Sequence, residues 1–256
     1  MHISIASEKL FEIAGFPITN TLITSWVALF IIVILAIVFS RKISNVPGRL
    51  QALGEIVLEE FMNFMSVFAT SRDVVKKFLP LVATIFIFVL TCNWVGTLPG
   101  VESIGFHEIE DGQEVFVPLF RTANSDINMT LALAIIVVVG THLVGLRTLG
   151  KGHVGKFIVN PLKNPIGFFV GILELIGEVS RIISLTFRLF GNIFAGSVLM
   201  LIISFLAPYI IPIPFLGLEL FVGFIQALVF SVLAMMFFSS SVEMHGDHDD
   251  SHHEAH

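Results

Sequence analysis

Five apolar stretches of this chain are each long enough to cross a lipid bilayer. They cover roughly residues 21–40, 78–98, 127–146, 165–207 and 215–240. About 20 apolar residues suffice to span the hydrocarbon core, and a backbone in lipid must satisfy its own hydrogen bonds, which a helix does. The sequence therefore predicts an all-α integral membrane protein with about five membrane-crossing helices.

The composition excludes an ordinary water-soluble domain. Hydrophobic residues make up 55% of the 256 residues and charged residues only 13%, whereas soluble domains carry about 25% charged residues. The one cysteine, Cys92, cannot form an internal disulfide, and its apolar surroundings favour a buried structural residue. No basic signal-peptide region precedes the first apolar stretch, so we expect that stretch to be retained.

The segments between the spans differ in character. Residues 47–70 have acids among Leu, Ile, Val and Phe at helical spacing, which predicts an amphipathic helix on the membrane surface. Residues 100–125 are predicted to be an acidic loop. One polytopic membrane domain is expected over residues 1–242. The acidic, His-rich tail, residues 243–256, is expected to be solvated, because its histidine spacing matches no defined metal site.

The basic residues predict the orientation in the membrane. Ten of the 14 lysines and arginines lie in two segments, one between the first and second spans and one after the third. The positive-inside rule assigns both segments to the cytoplasm. After five crossings, the N-terminus is therefore expected outside and the C-terminus in the cytoplasm.

The stretch 165–207 is too long for a helix that stands normal to the membrane. No proline interrupts it after Pro165, so one helix would be about 60 Å long, against a hydrocarbon core of about 30 Å. Two alternatives follow: a strongly tilted helix, or a helix that bends near Gly191 and Asn192. In either case prolines join it to the last span, which predicts an antiparallel hairpin.

Five polar side chains share one line along this penultimate helix. They are Glu174, Glu178, Arg181, Arg188 and Asn192, all within about 40° on a wheel of 100° per residue, and Ser184 lies at the edge. An arginine at the middle of a bilayer costs at least roughly 2.5–3.5 kcal/mol, so it normally faces water or an opposite charge. Local pairing remains an alternative explanation for Glu174, Glu178 and Arg181. It fails for Arg188, which has no acid within one helical turn, so we expect its partner on another chain.

The last span carries two polar residues on one face, Glu219 and Gln226, seven positions apart. Glu219 is either a surface acid that reaches the headgroups or a carboxylate that lines an aqueous entry path. Asn192, at the matching depth of the neighbouring helix, favours the second interpretation. A fixed arginine near such a path suits ion transport, because it favours the ionised form of any acid brought beside it.

Four segments, in the expected order, resemble one family. SLTFRLFGNIFAG (184–196) resembles the signature of the subunit a family of F-type ATP synthases, with its Arg-Leu-Phe-(Gly/Ala)-Asn core. TCNWVGTLPG (91–100), NSDINMTLALA (124–134) and FIQALVFSVL (224–233) are similar to other segments of that family. The resemblance covers the chain except its N-terminus and the His-rich tail.

The resemblance implies a proton-translocating stator subunit with two offset half-channels. Arg188 matches the family's essential arginine, which faces the carboxylates of a ring of c subunits and separates the half-channels. Further implied partners are the peripheral-stalk subunit b, the other ATP synthase subunits and the lipid of a bacterial inner membrane. The chain is expected to catalyse nothing alone, to hold no cofactor or metal, and to bind no nucleic acid.

The resemblance also assigns residues to the two paths. The outer path is expected to use Glu219, Asn192 and Gln226. The inner path is expected to use Glu174, Glu178, Arg181 and Ser184. Many family members have an ionisable residue nine positions after the arginine, where this chain has Ser197, so the outer acid is assigned to Glu219 instead. His107 and His142 receive no role.

Other protein classes fit the sequence less well. A secondary solute transporter would explain intramembrane charges, but broken helices in inverted repeats are expected there, and the two halves of the sequence show no repeat. An intramembrane protease would need a His-Glu-x-x-His motif, a Ser/His pair or paired aspartates within spans. No His-Glu-x-x-His occurs, and the only acids deep in the spans are glutamates. A structural scaffold would leave Arg188 unexplained. Protons are the expected coupling ion, because no cage of several oxygen ligands is visible.

Overall fold

The computed structural model describes residues 8–13, 15–40, 48–101, 104–110, 113–150, 165–207 and 209–243. Its helices are α1 (Asn20–Ser40), α2 (Arg49–Ser66), α3 (Arg72–Thr97), α4 (Ile127–Leu149), α5 (Pro165–Leu206) and α6 (Pro212–Glu243). All except α2 are long and apolar enough to cross a membrane. The predicted fold class is therefore confirmed, and the chain is a multi-pass membrane protein. The predicted tail lies almost wholly outside the described residues.

Short polar side chains begin several of these helices. The Thr19 hydroxyl accepts a hydrogen bond from the Leu22 N–H at the start of α1, and Ser71 accepts one from Val74 at the start of α3. At α4, Asp126 Oδ1 accepts the Asn128 N–H at 2.9 Å. Such caps satisfy amide groups that have no partner within the helix, so the sequence marks helix starts even where the surroundings are apolar.

The segments before α1 and between α3 and α4 contain two hairpins that were not predicted from the sequence. Strands β1 (Lys9–Ile13) and β2 (Phe16–Thr19) pair antiparallel, as do β3 (Gly105–Glu110) and β4 (Gln113–Pro118). The second hairpin lies inside the stretch 100–125 that was expected to be an acidic loop, so that expectation was wrong. Its many acids hid the β-branched and aromatic residues Val115, Phe116 and Val117, which favour a strand.

The helix α2 confirms the helix predicted within residues 47–70. Several of its apolar side chains have no cover from the described chain, since Leu53, Ile56 and Val57 are each about 60% exposed. Glu55 and Glu59 are exposed as well. An uncovered apolar stripe beside charged residues fits an interface between lipid and water, and the position on the membrane surface stays a prediction.

The helix α5 runs without interruption through 42 residues, so Gly191 and Asn192 lie inside it and the chain does not turn back there. At 1.5 Å per residue it is about 63 Å long, roughly twice the hydrocarbon thickness. A helix of this length fits a bilayer only when it is inclined. Two contacts join it to α6, one between Arg181 and Phe237 and one between Gly196 and Glu219. Their order is that of an antiparallel pair, as predicted.

The chain divides into two compact units, and each has its own buried centre. The first unit comprises the described residues up to 54, 84–130 and 187–230. Small side chains fill its centre, where Ala28, Cys92 and Ala123 are fully buried and Phe88 packs against them. Cys92 is thus a structural residue, as predicted.

The second unit comprises residues 55–83, 131–186 and the described residues from 231 onward. Phe238 of α6 is fully buried in it and stacks on Phe78 of α3 at a centroid distance of 5.1 Å. A side chain at Gly140 of α4 would meet this ring, because an added Cβ would lie 3.3 Å from it. The glycine therefore permits the close approach of α4 and α6.

Candidate functional site

Arg188 lies at an exposed position of α5. Two nearby side chains of the same helix, Leu185 and Leu189, are almost completely buried. The helix therefore packs against the protein with one face and leaves Arg188 exposed on another. No described carboxylate forms an ion pair with Arg188. The expectation that the partner of Arg188 lies on another chain stays a prediction.

Small residues line the face of α5 that carries Arg188. Ser184 and Ala195 are exposed at spacings of four and seven from Arg188. Gly191 shares this face, and a Cβ added there would meet nothing within 4 Å. The surface around the guanidinium is therefore open, and another helix could approach the α5 backbone closely along it.

An ion pair forms in the N-terminal half of α5, about two turns before Arg188. Arg181 Nη1 donates to Glu178 Oε1 at 2.6 Å, and Arg181 Cζ lies 5.1 Å from the ring centroid of Phe237 on α6. The local-pairing alternative thus holds for Glu178 and Arg181. It does not hold for Glu174, which has no hydrogen bond or ion pair within the described part of the chain. Ser184 lies exposed on the same helix.

His142 of α4 also faces this ion pair, although the sequence analysis gave it no role. Its Nε2 lies 3.4 Å from Glu178 Oε2, and the two side chains are 28% and 13% exposed. The sequence contains the relevant signal, a histidine inside an apolar span. Nothing in the sequence, however, indicates which residue of another helix it meets.

Glu219 of α6 lies directly against Gly196 of α5. A Cβ added at Gly196 would be 3.2 Å from Glu219 Oε1 and 3.4 Å from its Cδ. Glu219 is partly buried, so its carboxylate lies between two helices rather than on an outer surface. The surface-acid interpretation is thereby weakened. Ser197, the next residue on α5, donates its hydroxyl to the Ile193 carbonyl of its own helix.

The other two residues assigned to the outer path are placed differently. Asn192 is exposed on α5, and Gln226 is partly buried on α6. Neither side chain makes a hydrogen bond to another described residue. The structure therefore brings Glu219 against α5 through Gly196 and does not join Asn192 to Gln226.

A buried amide pair lies near α6, and neither of its residues was among the predicted site residues. Asn124 donates from Nδ2 to Asn93 Oδ1 at 2.7 Å, and Asn93 donates to the Gly223 carbonyl at 2.9 Å. Trp94, the next residue of α3, donates to the Leu220 carbonyl. Both asparagines are almost fully buried. Hydrogen-bonded polar groups inside an apolar protein fix the register of the helices that carry them.

Gly223 permits this arrangement. A Cβ added there would lie 3.1 Å from Asn93 Cβ, closer than side chains normally approach, so a larger residue would push α3 and α6 apart by a few tenths of an ångström. Asn124 Oδ1 is buried and accepts no hydrogen bond from the described residues. The side-chain oxygen of Asn124 can therefore accept a hydrogen bond from a further polar group.

Metal ligands are not clustered in the part of the chain that the structure describes. No group of three or more His, Cys, Asp or Glu side chains there could hold an ion. The His-rich tail lies beyond the described residues, as does the His107 side chain. Candidate polar groups thus lie in each unit: Asn93, Asn124, Arg188 and Glu219 in the first, and His142, Glu178 and Arg181 in the second.

Known proteins are similar in sequence to this chain over nearly its whole length. The family model described as ATP synthase A chain matches residues 22–239, which include every site residue named above. An ATP synthase subunit a from Citrifermentans bemidjiense is 35% identical over 226 residues, 88% of this chain and 88% of that protein.

Two further relatives extend the comparison. The ATP synthase subunit a of Geotalea daltonii is 35% identical over 221 residues, 86% of each chain. The chloroplastic ATP synthase subunit a of the alga Stigeoclonium helveticum is 33% identical over 244 residues, 95% of this chain and 93% of that protein. The similarity thus extends through all six helices.

Proposed function

The chain belongs to the ATP synthase A chain family, and from this premise we propose that it is the stator subunit that moves protons past the rotor of an F-type ATP synthase. Its surface and a ring of c subunits together form two offset half-channels, and Arg188 separates them. The observation that carries this proposal is an exposed, unpaired arginine on the open face of a long transmembrane helix.

Arg188 acts on a carboxylate that the ring presents. A carboxylic acid crosses lipid at moderate cost only when it is neutral, since an isolated buried charge is very unfavourable. A guanidinium, which stays protonated in proteins, favours the ionised form of an acid beside it. Each passing carboxylate therefore gives up its proton on one side of Arg188 and takes one up on the other side. Direct proton passage past Arg188 is opposed by the fixed positive charge.

The small residues beside Arg188 support a ring helix as the partner. Gly191 and Ala195 leave the α5 backbone accessible on that face. Small residues at helix interfaces in membranes let backbones approach closely. A ring that must turn past the stator needs a surface on which its helices can slide, and the small residues Gly191 and Ala195 support such a contact on this face of α5.

Glu219 is the proton-accepting group of the outer half-channel. Its carboxylate lies against Gly196, eight residues after Arg188 on α5. Asn192 and Gln226 line the same path with groups that can hydrogen-bond to water or to the ring. The buried amides Asn93 and Asn124 add polar groups next to α6 on the same path.

The inner half-channel uses the polar residues of the N-terminal half of α5. Glu178 and Arg181 form its charged centre, and Glu174 and Ser184 lie on the same stripe. A potential of 100 mV supplies about 2.3 kcal/mol for each charge that crosses the membrane. Because the half-channels are offset, a proton releases this energy only when the ring turns.

The partners follow from this role. They are the ring of c subunits, the peripheral-stalk subunit b and the other subunits of the complex, in the plasma membrane of a bacterium. The N-terminus faces outward and the C-terminus faces the cytoplasm, because the basic residues cluster in the segments assigned to the inside.

ATP-driven proton pumping in inverted membrane vesicles tests the proposal. Arg188→Ala should abolish pumping while the ring still co-purifies with the complex. Arg188→Lys should also fail, because a compact ammonium does not reproduce the planar guanidinium. Arg72→Ala is the matched control, since Arg72 is an exposed arginine at the start of α3. Normal pumping by an assembled Arg188→Ala complex would refute the proposal.

A further inference from the structure

The carboxylate of Glu178 divides its two oxygens between two different side chains. Oε1 accepts the hydrogen bond from Arg181 at 2.6 Å, whereas Oε2 lies 3.4 Å from Nε2 of His142. The histidine comes from α4, so two helices supply this arrangement. With side-chain exposures of 13% for Glu178 and 28% for His142, the carboxylate is the more enclosed group and the imidazole the more accessible one.

Arg181 cannot itself exchange protons. A guanidinium remains charged in proteins, and Arg181 is further held by the Phe237 ring, 5.1 Å from its Cζ. One oxygen of Glu178 is therefore occupied by a permanent cation. Oε2, by contrast, is the oxygen that faces a group able to exchange protons, since His142 is the side chain at that oxygen.

We propose that His142 is a proton-transfer residue of the inner half-channel and exchanges protons with Glu178 between Nε2 and Oε2. This inference rests on the function proposed above and adds a residue to it. In one step the Nε2–H bond of the charged imidazole breaks and an O–H bond forms on Oε2, which leaves a neutral imidazole and a neutral carboxylic acid. The reverse step returns the proton. No other reactant is needed, because a proton from water on the more exposed side of the imidazole restores its charged form.

The geometry requires only a small adjustment for this step. Proton transfer between side chains needs a separation of about 2.6–3.2 Å, and resting sites are often looser than that. From 3.4 Å, a rotation of the imidazole that moves Nε2 by a few tenths of an ångström is sufficient. The two ring nitrogens allow one to receive a proton while the other releases one.

Imidazole is suited to this position by its chemistry. It is the side chain whose charge ordinarily changes between about pH 5 and pH 8. The charged groups beside His142 include Glu178 and, through it, Arg181, both on α5. The aromatic ring that α6 contributes to the cluster, Phe237, is uncharged. His142 is thus the side chain of this cluster that can pass a proton on through two ring nitrogens.

The alternative role for His142 is purely positional, as a hydrogen-bond donor that holds Glu178. The variant His142→Gln separates the two roles, because a glutamine amide can donate a hydrogen bond at similar reach but cannot carry a proton near neutral pH. Thr141→Val is the matched control on α4. The Thr141 hydroxyl bonds only to the Val137 carbonyl of its own helix, so this variant tests a local disturbance of α4 alone.

The measurement is ATP-driven pumping by the complete complex in inverted vesicles, as a function of pH on the cytoplasmic face. His142→Gln should lower the rate by about 10- to 100-fold, toward the low end of what a positioned proton-transfer group contributes. The pH profile of the rate should change as well, because a glutamine amide cannot carry a proton. Thr141→Val should retain the wild-type rate and profile. A wild-type rate and pH profile in His142→Gln would overturn the inference and leave His142 a positioning residue.

Chemical rescue provides a second readout that does not depend on the glutamine variant. His142→Ala should hydrolyse ATP slowly in the coupled complex. The assay contains a protonophore, so that no proton gradient is present for the added weak base to disturb. Added imidazole should raise this rate with concentration, whereas acetamide, which hydrogen-bonds but does not titrate, should not. Equal rescue by both compounds would overturn the inference.

Failure of this inference can be distinguished from failure of the proposed function. If His142→Gln pumps normally while Arg188→Ala does not pump, only the role of His142 is wrong. If Arg188→Ala pumps normally in an assembled complex, the proposed function itself is wrong.

Discussion

The contact between Gly196 and Glu219 allows a graded test of the outer half-channel. A Cβ at Gly196 would lie 3.2 Å from Oε1 and 3.4 Å from Cδ of Glu219. The end of a flexible side chain can withdraw from an alanine methyl by a few tenths of an ångström. A valine extends one further C–C bond, about 1.5 Å, and would move the carboxylate by about 1 Å.

A misplacement of about 1 Å at a reacting group can lower a rate by about 10²-fold. We therefore expect Gly196→Ala to reduce ATP-driven pumping by less than about threefold, and Gly196→Val to reduce it by about 10- to 100-fold. The assay is proton uptake into inverted vesicles, with each rate divided by the amount of assembled complex.

Gly217→Val is the control for this series. Gly217 lies on α6 two residues before Glu219, and a Cβ added there would meet nothing within 4 Å. The change from glycine to valine has the same effect on helix propensity at both positions, so it cancels in the comparison. If Gly196→Val pumped as fast as Gly217→Val, the carboxylate of Glu219 would not be part of the proton path.

Three further outcomes are expected from single substitutions. Asn93→Leu leaves the Asn124 amide and the Gly223 carbonyl without their partner, so the free energy of unfolding in detergent should fall by about 1–2 kcal/mol; an unchanged unfolding midpoint would contradict the role of the amide pair. Gly191→Leu should leave the stability of the purified subunit unchanged, because an added Cβ there meets nothing within 4 Å, but should impair pumping by the complex; normal pumping would argue against a ring helix on this face. Glu219→Gln should slow proton entry, and an unchanged rate would restore the surface-acid interpretation.

The fold was predictable because lipid imposes strong constraints on a sequence. Apolar stretches of spanning length had to be helices, and the five long helices agree with that prediction. The length of α5 followed from the absence of prolines, since nothing in the stretch stops a helix. The hairpins formed by β1 to β4 were missed, because short strands outside the membrane depend on pairing rather than on a long pattern.

The site was predictable only where its residues share one helix. Glu178 and Arg181 are three positions apart, so helical geometry indicates their contact. The approach of His142 to Glu178, and that of Gly196 to Glu219, depend on how separate helices pack. Small residues and polar residues inside spans mark such contacts, but a single sequence does not indicate which pairs meet.

The separation of the two half-channels by Arg188 is tested most directly by proton flux through a complex whose rotor is blocked. The rotor is cross-linked to the stator in the soluble sector, and a potassium diffusion potential drives protons into vesicles that contain the complex. In the wild type, flux should stop when the rotor is blocked, because protons cross only by riding the ring. In Arg188→Ala, flux should continue despite the block, because protons can then pass between the half-channels directly. If blocking the rotor stopped flux in Arg188→Ala as completely as in the wild type, Arg188 would not be the barrier between the two paths.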